Sequence, residues 1–314
     1  MEKFQYNYSL SVQRTISPAL LRGADPTVSV ELRRKFAQET QEFLQIEPPL
    51  TVDFDIVRNQ LADASNSNIK IYNLNERRRS QILKDNWDFY EPRQVILQAG
   101  YGNSFSKIFF GNAVHIYSIR EGVDFITEIE AFDGGNAYNN AEFTGDTGSF
   151  PAGTTYNEVI NRCVSLLSPY GVERGAIRAY DGSVVKGKSF TGSIIATLLD
   201  LTNREFYIDS GFAYALRDQD VIKNSSPAEI SSRTGLLGTP RRERSFVMFN
   251  MIFQPDLKIG DQVDVQSTTG EQYNGINKVV SLHHKGRISN SVSSSVTTQV
   301  GLLYHKNFTE IEAA

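Results

Sequence analysis

Strict alternation of apolar and polar residues recurs along this chain and constrains its fold more than any other feature. In residues 4 to 12, Phe4, Tyr6, Tyr8, Leu10 and Val12 alternate with Gln5, Asn7, Ser9 and Ser11. A period of two is the pattern of a half-buried β-strand, and no helix can bury such a face. The same reading applies to Thr51 to Val57 and Ile69 to Tyr72, then to Val95 to Gln98, Lys107 to Ile119 and Val123 to Phe132. Asn73 or Asn75 is placed to cap a short helix from Glu76 to Leu83. Residues 30 to 46 fit a loose helix or a long loop equally well, ended by Pro48 and Pro49. From Asp133 to Gly153 the chain is rich in Gly, Asn, Thr and Pro, which reads as a linker.

The period changes at residue 155. Thr155 and Glu158 form a capping box, followed by Tyr156, Val159, Ile160, Cys163, Val164 and Leu167 on one helical face, with Pro169 and Gly171 as the stop. A second helix is expected from about Ser193 to Asn203. Short strands are expected at Val184 to Lys186, Phe206 to Ile208 and Phe212 to Leu216. Alternation returns after Ser245, with strands at Phe246 to Phe253, Gln262 to Gln266, Gly275 to His284 and Ser293 to Leu303. The order is therefore β, small α/β module, β. A faint echo links the two β regions. Val95-Ile-Leu97-Gln98 leads to Phe110-Gly111-Asn112-Ala113-Val114, and Val263-Asp-Val265-Gln266 leads to Tyr273-Asn-Gly275-Ile-Asn-Lys-Val279. Hairpin grammar accounts for this as readily as duplication does.

Composition narrows the function. The 314 residues suit about two domains, and 32 Lys and Arg against 36 Asp and Glu leave a net charge of −4. A dedicated nucleic-acid binder is normally basic. Cys163 is the single cysteine, so a disulfide framework and a Cys-based zinc site are excluded, and its place on the apolar stripe reads as core. The longest apolar runs, such as Phe246 to Phe249, fall far short of the ~20 residues of a membrane helix. The N-terminal stretch has no apolar core of a signal peptide.

Several motifs bear on chemistry. Gly182-Ser-Val-Val-Lys-Gly187-Lys188-Ser189 matches the phosphate-loop pattern G-x-x-x-x-G-K-[ST], in which Lys188 and Ser189 would serve a nucleotide. The expected helix starts late, however, the interior reads as a strand, and repeated βα units are missing, so a turn with exposed lysines is the better reading. His283 and His284 are adjacent on a strand, face opposite sides and cannot share a metal; His115 and His305 are isolated. The carboxylate pairs Asp53/Asp55 and Glu128/Glu130 share a strand face, and Asp261/Asp264 lie near a turn. Such pairs suit a glycosidase or a cation, but more often they form the solvated face of a sheet. The basic runs Arg33-Arg34-Lys35, Arg77-Arg78-Arg79 and Arg241-Arg242-Glu243-Arg244 lack interleaved aromatics and suit a solvated face or an acidic neighbour in an assembly. No catalytic, cofactor or metal residue is assigned, and no cofactor is expected.

The segments Thr51-Val-Asp-Phe-Asp-Ile-Val, Asn68-Ile-Lys-Ile-Tyr-Asn-Leu74, Ala99-Gly-Tyr101 and Ile108-Phe-Phe-Gly111 resemble the opening domain of baseplate hub proteins of contractile-tailed bacteriophages. Ala152-Gly-Thr154, Thr234-Gly-Leu-Leu-Gly-Thr-Pro240 and Asp256-Leu-Lys-Ile-Gly260 continue the resemblance, which covers about residues 50 to 303. It implies a mainly β fold with a small α/β module and two tail-tube-like antiparallel β-barrel domains, divided as 1–145, 146–225 and 226–314. It further implies a homotrimer in the phage tail baseplate, assembled in the host cytoplasm and without enzymatic activity. Three chains would present six barrels to a six-fold tail tube or its initiator protein and meet a three-fold central spike. Baseplate wedge proteins and the tape measure are further possible neighbours, and DNA would pass the lumen without specific binding. Three chains at −4 make about −12, a charge that would repel DNA. A P-loop enzyme and a tail-associated glycan-binding or wall-degrading protein are the competing readings.

Overall fold

The computed structural model describes residues 5–14, 43–60, 66–84, 93–223, 227–243, 246–290, 293–305 and 307–312. The first β region contains β1 (Tyr6–Gln13), β2 (Phe43–Ile46), β3 (Val52–Asn59), β4 (Asn66–Tyr72), β5 (Arg93–Tyr101), β6 (Ser104–Glu121) and β7 (Asp124–Phe132). Helix α1 (Glu76–Arg79) lies between β4 and β5, with the Asn75 side chain accepting the Arg78 N–H as its cap. The middle of the chain holds α2 (Gly135–Asn140), β8 (Ser149–Phe150), α3 (Tyr156–Ser165), β9 (Glu173–Ile177), β10 (Lys188–Ser189), α4 (Ile194–Leu201), β11 (Phe206–Asp209), β12 (Phe212–Ala215) and β13 (Asp220–Ile222). The second β region contains β14 (Ala228–Ser231), β15 (Leu236–Glu243), β16 (Phe246–Ile252), β17 (Gln262–Gln266), β18 (Gly275–Ile288) and β19 (Ser295–Leu303), and β20 (Thr309–Ile311) pairs with β13.

The fold is mostly β, as the alternation predicts, but hydrogen bonding does not separate the two β regions. Both belong to one 13-stranded sheet with the path β15-β16-β19-β18-β3-β4-β7-β6-β5-β1-β2, and β17 with β14 branches from β18. Among the described residues this path does not close into a barrel; β3 against β18 joins the two halves. Two apolar clusters underlie the sheet. One is built on Leu10, Phe54, Ile69, Leu97 and Ile129, the other on Phe249, Val265, Leu282 and Val300. The long strand β18 serves both, with Leu282 in the second cluster and Ile288 in the first.

Within this sheet one five-stranded unit occurs twice. The first unit has the spatial order β3-β4-β7-β6-β5 and the second β15-β16-β19-β18-β17, so the hairpins and meander follow each other identically along the chain. The match reaches single residues. Pairing of β6 with β7 starts at Asn112↔Phe132 and is interrupted by a bulge between Ala113 and His115. Pairing of β18 with β19 starts at Lys278↔Leu303 and is interrupted by a bulge between Val279 and Ser281. A bulge adds a residue and re-aims the strand beyond it, so its recurrence at one place fixes the equivalence of Asn112 with Lys278 and of Ser118 with His284. The first half of the sequence echo obeys this register: Val95 pairs with Gly111 and Val263 with Asn277. Its second half slips by two, because matching Gly111 to Gly275 ignores hairpin arms of unequal length.

The α/β module forms with both expected helices and with the expected strands near 206 and 212, but Val184 to Lys186 is no strand: the chain bends at Val185 and Lys186, and only Ser183 bridges, to Thr155. The capping box of α3 is present, and Val159, Ile160, Cys163, Val164 and Leu167 are buried in a third cluster. Burial pushes the Cys163 thiol up to about 12, which suits a core residue. Helix α4 is capped by Ser193. β12 runs antiparallel to β11 and parallel to β9. Residues 133 to 153 are not a linker. They carry α2, and Ala137, Ala141 and Phe150 pack into the module core. The alternative of a helix over residues 30 to 46 is resolved only at its end, where Phe43–Ile46 is strand β2 paired with β1; residues 30–42 lie outside the described residues.

Candidate assembly joint

The module meets the sheet at a buried ionic joint. β3 continues its inward register Val52, Phe54, Ile56 one step further, to Arg58. Arg58 is fully buried and forks onto the Asp209 carboxylate, Nε to Oδ1 at 2.8 Å and Nη2 to Oδ2 at 2.5 Å. Asp209 stands at the end of β11, just before the turn Ser210-Gly211. Both turn residues have positive φ, 53° and 81°, the conformation of a two-residue hairpin in which glycine is favoured. Gly211 also leaves room for the Phe110 ring, which a Cβ would meet at 2.6 Å. The turn directs its two backbone N–H groups at the Asp133 carboxylate at the end of β7. Burial, with Asp209 alongside, pushes the Asp133 carboxyl up to about 7, against the pull of those N–H groups and Arg58.

Equivalent points on the two units also hold the module. Asn112 Oδ1 on β6 accepts the Asn136 N–H of α2 at 3.0 Å. Lys278, its counterpart on β18, donates from Nζ to the Arg217 carbonyl at 2.7 Å. Burial lowers the Lys278 ammonium to about 8. Gln60 Nε2 adds a hydrogen bond to the Leu216 carbonyl at 2.8 Å.

The strand-face carboxylates are engaged, and Asp53 and Asp55 lie where the two units meet. Asp53 accepts Arg287 Nε and Nη2 at 2.5 and 2.6 Å and the Tyr72 hydroxyl at 2.9 Å. Asp55 faces Lys285 at 2.8 Å and His283 Nε2 at 2.6 Å; partial burial raises its carboxyl, but these contacts outweigh it and hold the carboxyl below the usual carboxylate range. Glu128 accepts Asn68 Nδ2 at 2.6 Å and lies 3.4 Å from Lys70 Nζ; Glu130 stands opposite His115 in the β6–β7 ladder. Asp261 accepts the Lys258 N–H in a turn, and Asp264 accepts Gln266 Nε2. These are cross-strand and turn contacts, not a pair flanking a cleft. Among the described residues no cluster of three or more His, Cys, Asp or Glu side chains has the arrangement of a metal site.

The two adjacent histidines do face opposite sides. His284 is fully buried against Phe253, with Nδ1 3.0 Å from Thr298 Oγ1, and burial lowers it to about 3. The 182–189 segment forms no phosphate cradle. Its two ends lie beside residues 148 to 156, either side of a bend at Val185 and Lys186: the Gly182 carbonyl accepts the Tyr156 N–H, the Val184 N–H donates to the Thr154 carbonyl, and Lys188 and Ser189 pair with Phe150 and Ser149. Lys188 Nζ sits 4.4 Å from the Phe190 ring centre, and the following helix starts only at Ile194. Arg77, Arg78 and Arg79 make up most of α1, where Arg78 donates to the Gln45 carbonyl and Arg79 lies 4.3 Å from the Phe125 ring centre. Arg241 and Arg242 are exposed on β15. Arg33-Arg34-Lys35 and Arg244 lie outside the described residues. His305 Nδ1 is within 2.6 Å of the Asn307 carbonyl.

Arg58, Asp133, Asp209 and Lys278 carry this joint and were not singled out by motif. For Arg58 a signal exists: a charge at the inward position of an alternating strand must find a buried partner.

A model of the baseplate hub gp41 family matches residues 28–285 of the chain. No curated protein matches it in sequence. Solved structures do match in fold. The 43 kDa tail protein of prophage MuSo2 from Shewanella oneidensis superposes with a TM-score of 0.52 at 7% identity, over 83% of this chain and 95% of that one. A tail protein from Neisseria meningitidis MC58 gives 0.53 at 8% identity, over 94% and 96%. A chain of the lidded Francisella PdpA–VgrG complex gives 0.55 at 8% identity, over 98% of this chain and 54% of that one. At these identities the structural likeness speaks for the fold, while the sequence model spans most of the chain: it belongs to the baseplate hub gp41 family of bacteriophage tail proteins.

Proposed function

We propose that the chain is a non-enzymatic symmetry adaptor of the tail, three copies forming a hub that offers six matched β units to a six-fold tube. The observation that carries this is the unit repeated strand for strand and bulge for bulge. A three-fold ring meets a six-fold one without mismatch only when each chain supplies two equivalent contacts. In this reading the β regions 1–145 and 226–314 contact the tube or its initiator, and the 146–225 module faces the spike or the surrounding wedge proteins.

The sheet face opposite the apolar clusters would line the channel. Its charges are neutralised locally, Asp53 by Arg287 and Asp55 by Lys285. A surface of paired charges offers DNA phosphates few free cations and little net repulsion. This makes pairing, more than the total of −4 per chain, the property suited to passing a genome.

The test is the copy number and position of the chain in purified tails, read by electron microscopy, with the native mass of the purified protein beside it. Three copies on the tail axis, each placing two units under the tube ring, are expected. Six or twelve equivalent copies would overturn the proposal. Nucleotide binding that is lost in Lys188→Ala would overturn the non-enzymatic part.

A further inference from the structure

The basic run on α1 borders a cavity of about 540 Å³ that opens between α1 and β2. Arg14, Arg77 and Arg78 bring three guanidiniums to its wall, Phe43 and Leu44 give it an apolar side, and the remaining lining side chains are neutral amides. Among the described residues no carboxylate lines it. Glu76, beside Arg77, is exposed and stands outside the wall. Like charges gathered around one cavity repel one another, and they gather here in a chain whose net charge is −4. The helix that carries two of them is fixed in place. The Asn75 side chain accepts the Arg78 N–H at 2.9 Å, and Arg78 Nη2 donates to the Gln45 carbonyl of β2. Arg79 lies 4.3 Å from the Phe125 ring centre, with Arg120 5.6 Å from the same ring. A ligand entering the cavity therefore has no helix to order first.

We propose that this cavity docks an acidic segment of another tail protein, which sets a carboxylate among the guanidiniums and lays a neighbouring apolar side chain on Phe43 and Leu44. A guanidinium takes a carboxylate in a forked pair of charge-assisted hydrogen bonds, so one acid relieves the repulsion and uses the exposed Arg77. A nucleic-acid backbone is the poorer fit, because tracking phosphates takes a longer row of cations than the three gathered here.

The repeat of the β units supplies the stoichiometry. The counterpart of α1 in the second unit is the connection between β16 and β17, residues 253–261, which forms turns and no helix. Strand β2 also has no counterpart at the other end of the sheet path among the described residues. The cavity thus occurs once per chain, although the unit beneath it occurs twice. A six-fold neighbour would find it at every second position only, so its occupant follows the chain and not the unit, one segment per chain. The total of three per hub rests on the hub reading above; the chemistry of the site does not.

The test uses Arg77→Lys and Arg78→Lys, each alone, in purified tails treated with a carbodiimide. The reagent joins an amine to a carboxylate in contact with it and takes up the water that is lost. Lys223 and Glu312, 2.9 Å apart on the surface, are the internal control for coupling. Mass spectrometry should find both introduced amines coupled to one acidic segment of a different tail protein, at an Asp or Glu within two residues of an apolar side chain. No such product in tails where the control pair has coupled would overturn the site. So would products only with acids of this chain or of a second copy, or with an acid that has no apolar neighbour. Tight binding of a short DNA duplex to the purified chain at physiological salt, abolished by Arg77→Glu, would overturn the choice of a protein carboxylate. Tails with three copies and no coupling would overturn the site and leave the hub reading standing. Coupling in tails with another copy number would support the site and overturn the hub reading.

Discussion

The two β units share a backbone register and almost no side-chain identity, and they differ at the position three residues beyond the bulge. In the first unit Ser118 Oγ lies 2.9 Å from Oγ1 of the buried Thr127. In the second, His284 Nδ1 takes the same place against the buried Thr298. One scaffold thus holds a small hydroxyl in one copy and an aromatic base packed on Phe253 in the other. Strand pairing and the bulge carry the repeat, and side chains diverge around a threonine hydroxyl that keeps a partner in both units. The units also differ at their edges: β18 is covered by β3, whereas the equivalent stretch of β6 has only the Lys84 bridge.

The largest expected effect separates how the units grip the module. Arg58 of the first unit is a buried guanidinium paired with a buried carboxylate. Arg58→Met leaves Asp209 charged and unpaired, with an expected loss of about 3–5 kcal/mol in urea unfolding at fixed chain concentration. Adding Asp209→Leu should recover most of it. Lys278 of the second unit donates to a single carbonyl, so Lys278→Met should cost about 1–2 kcal/mol or less. Equal losses at the two sites would show that the asymmetry of the grip has no energetic counterpart.

Acid should act on the second unit first. His284 titrates near its ordinary 6.5 when unfolded and at about 3 when folded. A base held neutral by folding contributes stability in full above 6.5, and that contribution is lost as pH falls from 6.5 toward 3. The expected loss at pH 4 is of the order of a few kcal/mol. Asp55 and Glu128, also lowered, act with the same sign but only below their unfolded values of 3.8 and 4.5. The window between about 4.5 and 6.5 therefore isolates His284 from them. Asp133, raised to about 7, runs the opposite way from 3.8 upward. Subtracting the unfolding curve of His284→Gln from that of the parent removes its slope, and no difference in that window would contradict a buried neutral imidazole.

The buried threonines give a closer comparison. Thr298 Oγ1 is near His284 Nδ1 and also accepts the Gln254 N–H at 3.0 Å. Thr127 meets one hydroxyl. Thr298→Val should cost about 2–3 kcal/mol because two groups lose their partner, and Thr127→Val about 1 kcal/mol because Ser118 is half-buried and can turn to water. A reversed order in parallel thermal melts would break the assignment.

Much of this was legible in the sequence where periodicity is strong. The β17 strand occupies Gln262–Gln266 as read from alternation, and α3 starts at the Thr155–Glu158 capping box. Residues 133 to 153 were misread because glycine and asparagine there mark turns, while the small Ala137 and Ala141 give no apolar period although both are buried. The carboxylate pairs were legible as strand-face residues, but their partners Arg287 and Lys285 lie more than 200 residues away. The repeat was half legible. Its strand Val95 to Gln98 matched Val263 to Gln266 in true register, but β5 and β6 are separated by two residues and β17 and β18 by eight, so a motif anchored on glycine drifts. Register is fixed by hydrogen bonding and a bulge, and neither leaves a fixed residue type behind.

The smallest expected effect tests what holds the units together. Asp53→Asn keeps the shape and one acceptor for Arg287 or Tyr72, so it should lower stability by about 0.5–1 kcal/mol. Asp55→Asn should cost less still, since Lys285 is largely exposed and flexible. Both losses should shrink in 1 M salt, because half-exposed pairs are screened. Beneath these charges eight register pairs tie β3 to β18 from Val52 to Asn59, and a backbone ladder does not weaken with salt in that way. If Asp53→Asn instead cost several kcal/mol at low salt, charge and not backbone would hold the joint.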